Sequence, residues 1–318
     1  MALTQGSDYN ANNTSGNGVQ PLFTPVLNRY VLSVAKPNLV FSQFAQKAKI
    51  QKGKGKIVAW DRYVPLDPAT TPLEEGVVPT GSEITLKRIT EEPLQYGNYV
   101  ATTDEFDFYK YDPSPEVLKI GELLGDNAAE TFDSLTCDAV AQGTNVIYSS
   151  GKSSRSALTS DDKITLEDIR KAVRTLKNNK ARKYNGKHFV CILDPDTSHD
   201  LQHDELWENV KIHDPKDLYE GELGELFGVR FVEASETEFA ALKQYNATAE
   251  NPVHAVFVFG QDAYGAVDEK ENVETITHSK NEIGGPLNQF GTMGWKGHHV
   301  AKVLTDEWLV RIECGVSA

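Results

Sequence analysis

The chain is short of the groups that most often announce chemistry. Its 318 residues hold three cysteines, Cys137, Cys191 and Cys314, too few and too scattered for a disulfide framework or a zinc knuckle. Reduced, buried thiols are expected instead. No run approaches the roughly 18 to 20 apolar residues of a membrane span, so no membrane partner is expected. The opening stretch MALTQGSDYNANNTSGNGVQP has neither a basic region nor an apolar run, which predicts a polar arm and not a secretory leader. Positive charge is also scarce. The 32 Lys and Arg face 46 Asp and Glu, a formal −14, which argues against a broad basic surface for nucleic acid. No G-x-S-x-G elbow occurs. Lys52-Gly53-Lys54-Gly55-Lys56 runs into a strand, where a phosphate loop would need a helix. It reads as a basic turn, able to meet Glu74, Glu75, Glu91 or Glu92 of another copy. No catalytic residue and no cofactor is expected.

What is present is regular structure. Apolar residues make up 39% and charged residues 25%, a soluble composition long enough to bury a proper core. Residues 114–142 read as one long helix, with Ser114 as N-cap, Pro115 at the first position and Gly143 placed for a left-handed end. Val117, Ile120, Leu124, Ala128, Phe132, Leu135 and Ala139 give it an apolar stripe. Gly121, Gly125 and Ala129 form a row of small side chains, which predicts close packing against another segment.

A short helix is predicted over 24–36, ended by Pro37. Residues 56–103 are β-branched and aromatic runs broken by the Pro/Gly-rich DPATTPLEEGVVPTGS, an excursion with no evident cover in the chain. The Ser/Lys/Arg-rich YSSGKSSRSALTSDD reads as a surface crossing. Thr165 and Asp168 then open a helix by a capping-box pattern. Its stripe is Leu166, Ile169, Val173 and Leu176; Arg170, Lys171, Arg174, Lys177 and Lys180 make the other side basic. HFVCIL, VRFVEA and AVFVFG are strands, and 218–228 reads as a short helix closed by Gly228. Together they predict an α/β module over 186–268. The tail returns to strands.

One constellation has metal-ligand spacing. His199 and His203 sit four apart beside Asp196, on a helical turn. The glutamate of HExxH is missing, since Asp200 and Leu201 follow His199. A metal-dependent hydrolase on this cluster is the enzyme alternative, and exposed histidines the plainer reading. Asp196 is expected to cap the helix after Asp194-Pro195. His298 and His299 are adjacent, so on a strand they face opposite sides.

The order of elements, together with several phrases, resembles the major capsid proteins of tailed bacteriophages. The phrases are TTPLEEGVVP (70–79), YGNYVATTD (96–104), LLGDNAAETFDSLTCDAV (123–140), GTNVIY (143–148), LEDIRKAVRTLKNN (166–179), YEGELGELFGVRFVE (219–233), FGQDAYG (259–265) and PLNQFGTMGWKG (286–297). Their wording is similar to the subfamily named after the capsid protein of the phage N-four. The resemblance implies an α+β chain of the Hong Kong 97 type. Its parts would be an arm (1–22), a lead-in helix (23–55), an extended β-loop (56–103), a peripheral domain with spine helix (104–185), an axial α/β domain (186–268) and returning peripheral strands (269–318). It also implies self-assembly through hexamers and pentamers into an icosahedral virion shell around double-stranded DNA, in a bacterial cytoplasm. A portal would be a partner, with scaffolding or decoration proteins as further candidates. Trp60, Tyr63, Ile84, Leu86 and Ile89 are expected to be covered by adjacent subunits. A nanocompartment shell, which shares the fold, is the structural alternative.

Overall fold

The computed structural model describes residues 40–50, 56–73, 75–76, 78, 81–103, 116–203, 207, 222–234, 253–268, 272–278 and 287–316. The arm, the helix expected at 24–36, the turn at 52–55, Glu74, and the cap at Ser114 and Pro115 lie outside these residues.

Helix α1 (Val40–Phe44) leads into β1 (Gln46–Ala48) and two ribbon strands, β2 (Val58–Tyr63) and β3 (Leu86–Glu91). Strand β4 (Leu94–Thr103) precedes the long helix α2 (Glu116–Val140), and β5 (Val146–Tyr148) follows it. Next come α3 (Leu166–Asn178), β6 (Phe189–Leu193), α4 (Pro195–Gln202), β7 (Glu222–Leu226), β8 (Val229–Glu233), β9 (Val253–Phe259) and β10 (Tyr264–Val267). The C-terminal part holds β11 (Val273–His278), β12 (Phe290–His299), β13 (Ala301–Val303) and β14 (Leu309–Gly315).

A six-stranded mixed sheet, β5-β14-β9-β6-β8-β7, carries most of the core. Every residue of β6 and β9 is buried, because both faces are covered. Alternate side chains feed two separate cores. Cys191, Val256, Val258 and Ile312 meet the α3 stripe of Leu166, Ile169, Val173 and Leu176. Val190, Ile192, Phe257 and Phe259 meet Phe41, the end of α2 and Tyr264. The sheet reaches beyond 186–268. It recruits β5 and β14, and the last strand sits between β5 and β9. The three cysteines are buried and none is in a disulfide, and burial pushes the Cys191 thiol well above its ordinary range.

Helix α3 starts as its sequence predicts: the Thr165 side chain accepts from the Asp168 backbone N–H. Three local expectations fail for identifiable reasons. Residues 222–226 form strand β7, not a helix, because pairing with the buried β8 across a Phe227-Gly228 turn outweighs a weak glycine-containing helix. The helix after β6 is capped by Asp194, with Pro195 at its first position, so Asp196 is already inside it. Gly143 is not left-handed. A Cβ there would lie 2.7 Å from Leu309 Cδ2, so the leucine side chain would have to shift to admit one.

The second layer is built on α2. Its stripe residues Leu124, Ala128 and Phe132 pack under a three-stranded sheet, β11-β12-β4. Phe132 meets Trp295 edge-on at 5.2 Å, and the Asn127 side-chain oxygen accepts from Trp295 Nε1 at 3.2 Å. Gly121, Gly125 and Ala129 are buried, as the row of small side chains predicts. On another side of α2 the buried Asp133 carboxylate accepts from the backbone N–H groups of Val40, Phe41 and Ser42 at 2.9, 3.1 and 2.9 Å. It caps α1 from a distant part of the chain.

Candidate assembly surface

Strands β2 and β3 pair antiparallel from Val58–Glu91 to Tyr63–Leu86 and form a ribbon. The root of the ribbon is apolar on one face. Val58 and Trp60 are buried against Val267 and Leu304, with Ile89 half-buried beside them. Trp60 Nε1 donates to the Gln46 carbonyl at 3.2 Å, and Gly265 leaves room for the indole. On the other face Arg88 holds Asp61 by two hydrogen bonds of 2.6 and 2.9 Å, which keeps the Asp61 carboxyl below its usual range. Beneath the ribbon a cleft of about 170 Å³ is lined by Arg62, Tyr63, Arg182 and Trp308. The Arg62 guanidinium lies 4.4 Å from the Trp308 ring centroid and also bonds Thr305.

Beyond this root the ribbon is bare. Tyr63 is 68% exposed, Leu73 79%, Val78 90% and Ile84 74%. Among the described residues of 64–85, every one is exposed, so no described part of the chain covers them. The five expected contact residues therefore divide. Tyr63, Ile84 and Leu86 stand out in solvent and Ile89 is intermediate. Trp60 is a correction: at 3% exposure it fills a pocket of its own chain and anchors the root. A second exposed apolar group, Leu94, Tyr99 and Val100, lies along β4. Strand β4 is paired over ten positions with β12 on one side, and among the described residues no strand covers its other edge.

The candidate metal ligands do not converge. The His199 and His203 rings lie tilted at 46° with centroids 4.5 Å apart, and His203 Nδ1 donates to the His199 carbonyl at 3.1 Å. Asp196 joins a different group, with Asp194 and His254, whose polar atoms lie within 4.8 Å of one another. Asp194 there is engaged structurally. It accepts from His254 and from the Thr197 hydroxyl and N–H, all buried. Burial alone would raise its pKa, but the bonds from His254 and Thr197 prevail and hold the carboxyl below its usual range. Such an Asp–His pair ties β9 to the start of α4. Among the described residues no helix is long and apolar enough to cross a membrane.

No family model matches the sequence, and no curated protein does. Solved structures do. The capsid of Ralstonia phage GP4 is similar with a TM-score of 0.63 at 14% identity, over 83% of this chain and 84% of that one. The capsid of cyanophage P-SCSP1u gives 0.61 at 16% identity, over 88% and 89%. The capsid of cyanophage Pam1 gives 0.61 at 17% identity, over 84% and 87%. The chain has the Hong Kong 97-type capsid fold.

Within this fold the ribbon runs out beyond its buried root at Val58 and Trp60. The tip residues Leu66, Leu73 and Val78 are functional candidates that the sequence reading passed over. A signal was present: isolated apolar residues among prolines and glycines, in a segment that cannot be sheet interior. The exposed face of β4 was also passed over, because its strand partner lies nearly 200 residues away.

Proposed function

We propose that the chain is the major capsid subunit of a tailed phage, which self-assembles into an icosahedral shell enclosing double-stranded DNA. One observation carries this reading: a ribbon of the capsid fold whose apolar tip has no cover among the described residues of its own chain. A side chain such as Leu73 or Val78 gains about 1.5–3 kcal/mol on full burial, so a neighbouring copy is the natural cover. A closed shell requires such heterologous contacts, in which one patch meets a different patch of the next copy. The open edge of β4 adds a second surface that a soluble monomer would have reason to protect.

The finer parts of the reading rest on the sequence. The ordered phrases from TTPLEEGVVP to PLNQFGTMGWKG support the subfamily named after the capsid protein of the phage N-four. The division into arm, extended loop, peripheral and axial domains follows from that likeness, as do hexamers and pentamers, a portal, scaffolding or decoration partners, and assembly in a bacterial cytoplasm. The subunit acts structurally in this reading and carries out no catalysis. Electron microscopy of the purified protein is expected to show rings or closed shells, with nuclease-protected DNA inside particles from infected cells. Compact monomers at every concentration and salt would overturn the proposal. Shells that hold protein cargo and no genome would replace it with a nanocompartment.

A further inference from the structure

Segment 169–188 holds eight of the chain's 32 Lys and Arg and not one Asp or Glu, so all 46 acidic residues of each copy lie elsewhere. The fold displays this charge on one face. Ile169, Val173 and Leu176 turn α3 into the core, which leaves Arg170, Arg174 and Lys177 outward at spacings of four and three. Cations so placed on a helix repel one another. Lys171 is answered by Glu167 and Asp168, and Arg182 by Asp262. Among the described residues no carboxylate answers Arg170, Arg174, Lys177, Lys180 or Lys187.

The same face has a shape. Arg170, Val173, Arg174, Lys177 and Asn178 line one side of a shallow cleft of about 380 Å³, and Phe227 closes it. Phe227 stands at the β7–β8 turn with φ 55°, a left-handed conformation that bulky residues rarely adopt and where Asn would be at ease. The residue is 43% exposed, with the Arg170 guanidinium 5.3 Å from the ring centroid. A bulky aromatic held out at an unfavourable backbone position, over a row of unanswered cations, marks a surface that gains from being covered.

We propose that this cleft docks an acidic segment of a second copy of the chain, an inter-subunit contact separate from the ribbon. The inference rests on the shell reading above. Charge complementarity selects the occupant. Each copy excludes acid from 169–188 and carries a large acidic excess elsewhere, so two copies attract where this face meets another part of a neighbour. A nucleic-acid duplex fits less well, because a cleft between one helix and one hairpin turn admits a single extended segment.

The test compares wild-type protein with the triple variant Arg170→Glu, Arg174→Glu, Lys177→Glu. The side chains are exposed, so circular dichroism and melting of the unassembled subunit are expected to be unchanged. Shell yield is expected to fall roughly tenfold or more, and wild-type assembly to weaken as ionic strength rises to about 0.5 M. A variant that assembles like wild type overturns the inference and leaves the shell reading standing. Wild-type protein that forms no shells under any condition overturns that reading instead. A variant that assembles normally but encloses less DNA would assign the face to nucleic acid. Carbodiimide cross-linking of shells mixed from ¹⁴N and ¹⁵N copies needs no variant. Products joining Lys177, Lys180 or Lys187 to a carboxylate of the other isotope are expected, and products within one copy alone would overturn the contact.

Discussion

Single carboxylates hold distant parts of this chain together, and their burial sets how much each is worth. Asp133 accepts three backbone N–H groups, so Asp133→Asn would turn an amide N–H toward at least one orphaned donor. Hydrogen bonds to a charged group contribute about 1.5–3 kcal/mol each, and loss of this cap is expected to cost about 2–3 kcal/mol in a urea melt of the subunit. Asp194 gives a pH signature. Its folded pKa lies below the unfolded value of about 3.9, so its contribution is complete above that value and is lost as pH falls through the folded pKa. Wild-type stability should decline below about pH 4, and Asp194→Asn should flatten that limb while lowering stability at neutral pH. Neither role was legible in the sequence. Asp133 sits on a helix as an ordinary polar residue, and its partners lie more than 90 positions upstream. His254 is one polar letter in the apolar run VHAVFVF, and nothing local ties it to Asp194.

Elements were legible in proportion to how locally they are determined. The stripes of α2 and α3 and the capping box at Thr165 depend on neighbours within one or two turns, and the fold keeps them. Strand β7 depends on β8, and a three-to-four spacing of Leu and Phe is not enough to make 222–226 helical against that pairing. The ribbon shows the same split between its root and its tip. Trp60 is covered by its own chain, so Trp60→Ala should destabilise the isolated subunit by about 3–5 kcal/mol. Gly265→Ala should act in the same direction, because a Cβ there would come within 2.4 Å of Trp60 Nε1. Val78 is 90% exposed, so Val78→Asp should leave the melting temperature of the subunit within about 1–2 °C of wild type and still suppress shells. A Val78→Asp protein that assembles normally would remove the tip from the contact.

At the scale of the whole molecule, the surfaces left open fall on both layers. The six-stranded sheet with α3 presents the basic cleft, the separate β2-β3 sheet presents the ribbon, and the layer on α2 presents the edge of β4 that no described strand covers. That edge makes the last case most clearly. Strand β4 spends one side of its backbone on ten positions of β12, so alternate N–H and C=O groups on the other side point away from the sheet. Ten residues is long for an unprotected edge, and natural proteins shorten, bulge or charge such strands to prevent pairing with other chains. Here Leu94, Tyr99 and Val100 stand exposed and no Lys or Arg interrupts the strand. A subunit destined for a shell has no need of those defences once a neighbour lies against the strand. Hydrogen exchange can follow this directly. Alternate β4 amides, those turned away from β12, should exchange quickly in the unassembled subunit and slow by at least about tenfold in shells, while their neighbours bonded to β12 change little. Equal rates in both states would place β4 on the open surface of the particle and leave assembly to the ribbon and the basic cleft.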